Sequence, residues 1–413
     1  MNVAVLGILA DRVGSGAGTF PVLLRALLER GARVDCFGMR GFNDPTSLEG
    51  LPGYRFMDVR VPFFERLHAR AARLKTPYPV AAVAQVAHLA YQREAVRRIE
   101  AEHPRAHYTL IFCTDAQALA RSSLPLACWP QSPPQTEGEA LRTPAVARVA
   151  IEGHGVARWA AVQAFYGYRW AVARAALDFS DLYLCGSRWA RDEWERFGAK
   201  PERLRALAYP IALDAHESTP ALGTGRDHVT FLWLGRSVPR KRLDLFLEGV
   251  KLLHERQPSV RARIVGNLEG DPVAARLVEA FRHHPAFSFE GPCAHTAVPK
   301  LFGEVDVLVQ PSQNENFGFS VAEALAAGRG VVLGPSNGTA DYAGEAGFLF
   351  SEYRAADVAR ALDRARDAVL GRGPELSAAA RRAAREHFSL DAVTERFTRF
   401  ASDAVANRAA RRR

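Results

Sequence analysis

The sequence predicts an α/β protein made of two consecutive Rossmann-like halves, and three observations carry that prediction. Apolar runs of strand length alternate with helix-forming stretches from Asn2 onward, and the alternation restarts at Val229. Between the two series lies Ala215–Arg226 (AHESTPALGTGR), polar and rich in Pro, Gly and Thr, which reads as a domain boundary. In both series the apolar runs stop at Gly, Ser, Asn or Pro turns that lead into helices, the place where open α/β sheets bind ligands. Two such halves make a two-lobed enzyme with a cleft between the lobes, and 413 residues are ample for two cores.

Composition sets the outer bounds. Hydrophobic content of 48% and charged content of 24% are ordinary for a soluble globular protein. No apolar run reaches the ~18 residues of a membrane span. Met1–Ala10 is apolar, but it lacks a basic start and runs into Asp11 and Arg12, so it reads as a first strand and not a signal peptide. The cysteines (Cys36, Cys113, Cys128, Cys185, Cys293) are odd in number and no pair is spaced as CxxC. Neither a disulfide framework nor a zinc site is indicated, and a reducing cytosol is the expected compartment. The net charge of +9 admits nucleic acid, an anionic membrane surface or a phosphorylated substrate as partner. Much of that charge is Arg in an Ala/Arg-rich chain, so part of it is compositional.

In the first half, Asn2–Leu9 is a strand, followed by Gly14-Ser15-Gly16-Ala17-Gly18 and a helix from about Thr19 to Arg30 with Leu23, Leu24, Leu27 and Leu28 on one face. Gly31 stops it, and Ala32–Phe37 is the next strand. The glycine spacing is GxGxG, not the GxGxxG of a dinucleotide fingerprint, and Asp35 lies inside its strand and not at the end where a ribose-binding acid belongs. These glycines let backbone approach a ligand, or they make a tight turn. Pro62–Lys75 forms an amphipathic helix with Phe63, Phe64, Leu67, Ala71 and Leu74 on one side and Arg66, Arg70, Arg73 and Lys75 elsewhere. It either packs on its own domain, the preferred reading, or lies on an anionic membrane. Tyr108–Cys113 and Leu124–Trp129 are strands ending in Thr114-Asp115 and in Pro130-Gln131-Ser132. A helix from about Gly155 to Leu177 carries Trp159, Phe165, Tyr166, Tyr168 and Trp170 on more than one face and is expected to be well buried. Asp181–Cys185 is a strand, with the helix Ala190–Phe197 after it.

In the second half, the strand Val229–Leu234 meets Gly235-Arg236, and Pro239-Arg240-Lys241-Arg242 opens the helix Leu243–Arg256. Val260–Val265 ends in Gly266-Asn267, and Phe287–Phe289 is short and runs into Gly291. The apolar run Val305–Val309 precedes Gln310–Gly330 (QPSQNENFGFSVAEALAAGRG), a strand end, a turn and a helix closed by Gly328. Helices dominate from Ala355, and the Arg-rich tail (Arg408, Arg411, Arg412, Arg413) reads as a frayed end.

Within Gln310–Gly330, Glu315 and Glu323 bracket a helix start, whose exposed N–H groups and dipole suit a phosphate. Arg236 and Lys241 come from a neighbouring strand end. Arg offers a planar fork to phosphate and Lys a point charge, so together they make a diphosphate cradle. Glu323 can accept from ribose hydroxyls, and Glu315 can reach hydroxyls of a group attached to the phosphate. No DxD motif is present, and none is needed for an anionic leaving group held by cations. Gly266-Asn267 and Phe289-Glu290-Gly291 are placed to flank a base.

The segment P-S-Q-N-E-N-F-G-F-S-V-A-E-A-L-A-A-G resembles the EX7E signature of the retaining GT-B glycosyltransferases, the group 1 or GT4 class. L-G-R-S-V-P-R-K-R-L-D-L resembles that family's donor-phosphate motif. The glycine turn before the first helix, S-R-W-A-R-D-E-W, Y-P-I and N-G-T-A-D-Y ahead of A-G-F-L-F are also similar, densest over residues 229–350. The resemblance implies a GT-B fold: an acceptor-binding domain at 1–214, a nucleotide-sugar donor domain at 215–385, and a C-terminal helix at 386–413 crossing back to the first domain. It implies a retaining hexosyl transfer from a nucleotide-diphosphate sugar, UDP or GDP foremost, to a hydroxyl acceptor (glycan, lipid-linked or small molecule), with no metal or other cofactor. Arg236 and Lys241 would offset charge on the departing nucleotide. Glu323 would hold the ribose and Glu315 the donor sugar. Asn316, Phe317, Gly318, Phe319 and Ser320 would line sugar and phosphate. Gly235, Gly266, Asn267 and Glu290 complete the expected donor site, and Gly16 would close it from the first lobe. Many members carry an active-site His after a strand of that lobe. In this chain those strand ends offer Asp115 and Gln131, with His154 in a loop elsewhere; any of the three can orient the acceptor hydroxyl. Asp341 stands where the family often has Glu. The expected location is cytoplasmic, with peripheral attachment to the inner membrane face if Pro62–Lys75 docks. No nucleic-acid partner is expected. The competing readings are a nucleotide-sugar epimerase or hydrolase of the same fold, or a basic membrane- or nucleic-acid-binding protein.

Overall fold

The structure is a computed structural model, and it describes residues 1–7, 16–40, 45–61, 77–115, 118–130, 133, 136, 138–139, 142–223, 227–268 and 272–412. Pro62–Lys75, Gln131 and the Gly14-Ser15 part of the first glycine turn lie outside the described residues.

The chain divides into two compact units: unit 1 is Met1–Gly138, Ala160–Tyr209 and Val393–Arg413, and unit 2 is Glu139–Trp159 and Pro210–Ala392. Unit 1 is built on β1 (Asn2–Leu6), α1 (Gly16–Glu29), β2 (Arg33–Gly38), β3 (Tyr54–Asp58), α2 (Pro77–Ala106), β4 (Leu110–Cys113) and β5 (Leu126–Cys128). The helix α3 (Pro144–His154), which belongs to unit 2, and α4 (Val156–Ala175), most of which belongs to unit 1, follow in the chain, and then β6 (Leu182–Cys185), α5 (Arg188–Phe197) and β7 (Leu204–Ala206) of unit 1. Its sheet is parallel throughout, in the order β3-β2-β1-β4-β5-β6-β7. Such sheets are covered on both faces, so their strands are apolar runs, not alternations. Accordingly β4, β5 and β6 are buried at every position.

Unit 2 repeats the plan with β8 (Val229–Leu234), α6 (Leu243–His254), β9 (Val260–Val265), α7 (Pro272–Phe281), β10 (Phe287–Glu290), α8 (Val298–Gly303) and β11 (Val307–Gln310). After it come α9 (Phe319–Ala326), β12 (Gly330–Leu333), β13 (Gly347–Leu349), α10 (Ala355–Phe388) and α11 (Leu390–Arg412), most of which belongs to unit 1. The sheet order is β10-β9-β8-β11-β12-β13, again parallel. In register, Phe231 lies between Ala262 and Val307 at the sheet's centre. In both sheets the strand order reverses beside the first strand: at β1/β4 in unit 1 and at β8/β11 in unit 2. These are the topological switch points, where ligands settle beyond the carboxyl ends of the strands.

Several expectations are corrected. Gly16 and Gly18 lie in the first turn of α1, which starts three residues earlier than expected. Asp35, by contrast, lies inside β2 as expected, where Arg55 donates to it through Nε and Nη2 (2.8 and 2.5 Å) and the Tyr108 hydroxyl donates at 2.5 Å. Helix α4 is not buried. Tyr168 and Trp170 are 37% and 46% exposed, and Ala173 is the one residue of the helix that is fully enclosed; aromatics on several faces marked an apolar helix, not an interior one. His154 ends α3 and is not in a loop. The expected linker is packed into unit 2: His216, Thr219 and Leu222 are buried, and Arg329 and Arg381 donate to the carbonyls of Pro220 and Thr219. The Arg-rich tail is anchored in unit 1. Arg411 donates to the wholly buried Asp181 carboxylate at 2.6 Å, and Arg408 to the Ser122 carbonyl. No described helix is long and apolar enough to cross a membrane.

Candidate functional site

The switch point of unit 2 gathers three loops. The first follows β8 and ends in a single 3-10 turn, Pro239–Lys241. The second follows β11, and the third follows β12. Backbone bonds lace them together: Gln313 N–H donates to the Arg240 carbonyl (2.7 Å), Glu315 N–H to Ser336 (2.8 Å) and Gly338 N–H to Glu315 (2.8 Å). Side chains reinforce the lacing. Asn337 donates to Gln310 at 2.8 Å, Gln310 to the Ser320 hydroxyl at 3.0 Å, and the Tyr353 hydroxyl to the Ser312 carbonyl at 3.1 Å. At the start of α3, Thr143 Oγ1 comes within 3.5 Å of Gln313 Oε1.

Inside this frame Glu315 is buried and holds two cations on one oxygen, Lys241 Nζ at 2.5 Å and Arg240 Nη1 at 2.9 Å. Burial alone would raise the Glu315 carboxyl, but the charges of Lys241 and Arg240 outweigh it and hold the group down to about 2. Burial lowers Lys241 in turn, and the neighbouring charges of Arg240 and Arg236 act in the same direction against the pull of Glu315. Arg236 itself is exposed. Two cations thus share one carboxylate and the charge of Arg236 is felt at Lys241, a surplus of positive charge in the loops that precede α9.

Arg240 is the residue that sequence reasoning missed. Arg240, Lys241 and Arg242 are consecutive, and only the fold separates them. Arg242 adopts a left-handed conformation (φ 49°) that carries its side chain to Asp244, at 2.8 Å, and leaves the other two with Glu315.

Glu323 sits in the second turn of α9, not the first, and accepts from His295 Nε2 at 2.8 Å. Burial raises its carboxyl above the ordinary 4.5, with His295 pulling the other way. His295 was not legible; it lies in a separate one-turn helix after β10.

The glycines are used for close approach. A Cβ on Gly266 would fall 2.2 Å from the Gly235 carbonyl oxygen, and one on Gly318 2.4 Å from Gln310 Oε1. The Gly318 N–H, expected to face a ligand, donates instead to Thr339 Oγ1 at 2.9 Å. Phe317 is buried against Phe319 and Phe388. Asn316 follows Glu315 in the same loop, and Phe319 and Ser320 open α9. Asn267 is exposed, and its carbonyl accepts from Ser237. Glu290 is held by both Nε and Nη2 of Arg263 (2.7 and 2.9 Å), so its carboxylate is already occupied.

Unit 1 has its own cluster at its switch point. Asp115, just beyond β4, is buried and meets His88 Nε2 at 2.6 Å, and Gln92 Nε2 donates to it at 2.7 Å. Burial lowers the His88 imidazole, but the charge and hydrogen bond of Asp115 raise it above its ordinary 6.5. Of the three candidates for the acceptor side, the structure gives Asp115 a partner cluster. Gln131 lies outside the described residues, and His154 belongs to unit 2.

The family model described as glycosyl transferases group 1 matches residues 215–387. A D-inositol 3-phosphate glycosyltransferase of Geodermatophilus obscurus is 30% identical over 409 residues, covering 90% of this chain and 82% of that protein. The same-named protein of Thermomonospora curvata is 31% identical over 201 residues, 43% of this chain, so the match spans only 47% of that relative's length. Among solved structures, sucrose-phosphate synthase of Thermosynechococcus elongatus is similar with a TM-score of 0.62 at 19% identity, over 98% of this chain and 99% of that one. Anabaena HepE, solved in complex with UDP and glucose, gives 0.61 at 15% identity, over 97% and 99%. Both neighbours speak to the fold alone. With a relative aligned across most of both chains, this protein belongs to the glycosyl transferases group 1 family and has the GT-B fold.

Proposed function

We propose that the protein transfers a sugar from a nucleotide-diphosphate sugar to a hydroxyl acceptor, with retention at the anomeric carbon and without a metal. The observation that carries this reading is the surplus of cations before α9: Arg240 and Lys241 paired to buried Glu315, with the charge of Arg236 added at Lys241. A diphosphate is the ligand this charge distribution suits. Arg236 offers an exposed fork to it, and Lys241 and Arg240 counter the charge that builds on the leaving oxygen as the bond to the sugar breaks. Glu315 keeps these two half-buried cations ionised and aimed, and it stands beside the sugar. Glu323, on the next turn of α9, takes the ribose hydroxyls. UDP and GDP are the nucleotides to test first, and HepE is described with UDP-glucose among its ligands. The relatives named for D-inositol 3-phosphate make a phosphorylated cyclitol the first acceptor to try.

The test is thermal stabilisation by UDP, GDP and ADP and their sugars, followed by nucleotide release in the presence of a chelator. A ligand at about 100 times its Kd is expected to add about 2.7 kcal/mol. Arg236→Ala is expected to remove most of that shift while leaving the unliganded melting temperature unchanged. If no nucleotide or nucleotide sugar stabilises the wild type, the reading is wrong. Donor turnover that no acceptor changes would favour a hydrolase or epimerase instead.

A further inference from the structure

One face of α2 is laid across the strand ends at the unit 1 switch point. His88, Tyr91 and Gln92 stand at i, i+3 and i+4, the spacing that aligns side chains on a helix. Tyr91 donates to the Phe37 carbonyl at the end of β2 (2.6 Å) and accepts from Gly7 N–H beyond β1 (3.4 Å). Gln92 donates to Asp115 beyond β4 and accepts from Leu119 N–H at 2.6 Å, which ties the loop after β4 to the helix. The ends of β1 and β4 are pressed together: a Cβ on Gly7 would meet Thr114 Oγ1 at 2.7 Å and Asp115 N at 2.8 Å. Over this floor stands the His88 ring, packed near Tyr91 and fixed by Asp115, with 21% of its side chain open to solvent while Asp115 has 2%.

A buried carboxylate behind a partly open imidazole fixes the ring's orientation and its tautomer. With Nε2–H directed at Asp115, the neutral ring carries its acceptor lone pair on Nδ1. The groups that the described residues place here are an imidazole, a carboxylate and an amide, neutral or mutually balanced chemistry of the kind that holds a hydroxyl. Resting on the glycosyltransferase reading above, we propose that His88, positioned by Asp115 and Gln92, is the group of unit 1 that binds a hydroxyl of the acceptor. Asp115 then acts through His88, and its part is to position the ring.

The charged and titratable groups described around the ring are Asp115 from the end of β4 and Tyr91 from α2; Cys128 of β5 lies beneath, its thiol directed at the Asp115 carbonyl. Protonation of His88 removes the acceptor lone pair. Activity should therefore fall as pH drops through the imidazole's pKa, which Asp115 places above the ordinary 6.5.

The experiment uses the full chain, wild type and with His88→Gln, His88→Ala or Asp115→Asn. The nucleotide sugar that most stabilises the wild type is the donor, and nucleotide release is followed with water alone and with D-inositol 3-phosphate added. All four proteins should show the same donor-induced thermal shift. His88→Ala should lower turnover roughly 10- to 100-fold, the weight of one or two lost hydrogen bonds in a site of this kind. His88→Gln, which can still donate to Asp115, should keep the fold and part of the turnover but lose the acidic limb of the pH profile. Wild-type turnover in His88→Ala, or an acidic limb that persists in His88→Gln, would overturn the proposal. A wild type that no nucleotide sugar stabilises would instead remove the reading beneath it.

Discussion

The two switch points are built on the same topology and do opposite things with charge. In unit 2, beyond β8 and β11, two half-buried cations share one oxygen of a buried carboxylate and a third, exposed cation adds its charge at Lys241. In unit 1, beyond β1 and β4, one buried carboxylate faces an imidazole and an amide. A diphosphate is strongly charged and needs permanent counter-charge. A hydroxyl needs an oriented donor or acceptor whose charge is already balanced. The difference teaches that a doubly wound sheet fixes where a ligand goes, while the loops beyond the strands decide which ligand it is.

The largest effect should come from removing a cation paired to the buried Glu315. Lys241→Ala leaves Glu315 buried with Arg240 alone, and breaking a buried pair of this kind costs about 3 kcal/mol of stability. The variant should melt earlier and also lose its response to nucleotide. Arg236→Ala should lose the response only, since its side chain is exposed. Melting curves of both variants with and without UDP separate the two roles. If Lys241→Ala melts like the wild type, Glu315 does not depend on it, and the contrast in charge between the two switch points loses its structural basis.

A matched pair of glycine substitutions sharpens the comparison at the next level. Gly318→Ala would force a methyl to 2.4 Å from Gln310 Oε1 and 3.0 Å from Val321, and Gly7→Ala to 2.7 Å from Thr114 Oγ1 at a backbone φ of 123°. Each should cost about 1–3 kcal/mol by overpacking. Their functional consequences should differ. Gly318→Ala displaces the Gln310–Asn337 lacing behind Glu315 and should weaken nucleotide binding. Gly7→Ala should leave nucleotide binding intact and lower turnover. Equal losses of nucleotide affinity in both would erase the distinction between the sites.

The two sites were not equally legible in the sequence. The alternation of strands and helices gave both halves, and the Glu315–Glu323 segment gave the unit 2 site, because its residues follow one another along a single strand-loop-helix. What was hidden came from elsewhere in the chain. His295 reaches Glu323 across 28 positions and His88 reaches Asp115 across 27, and no local pattern marks either pair. Arg240 was hidden among equals, since only the left-handed turn at Arg242 sorts three consecutive cations into two roles. Ala215–Arg226 looked like a linker because its composition is polar. Part of its backbone is instead bound inside unit 2: Arg329 and Arg381 donate to the carbonyls of Pro220 and Thr219, and Leu222 N–H donates to Ser377 Oγ.

The smallest effect concerns Glu315 and Glu323, which should answer acid in opposite ways. The Glu315 carboxyl is held down to about 2, so its contribution to stability is present above the ordinary 4.5 and is lost as pH falls towards 2. The Glu323 carboxyl is raised by burial, so folding favours its protonated form; that contribution is present below 4.5 and is lost as pH rises through the raised value. On the proposed function, the ribose hydroxyls are best held by the ionised Glu323. Nucleotide affinity should therefore weaken as pH falls through that raised value, while the unliganded protein keeps its stability there. Glu323→Gln should hold the unliganded stability within about 1 kcal/mol of the wild type, because the amide oxygen can still accept from His295. It should also remove the pH dependence of nucleotide affinity over that range. Calorimetric titration with UDP across the range, beside melting curves of the unliganded proteins, tests both statements. A pH dependence that survives in Glu323→Gln would assign it to another group.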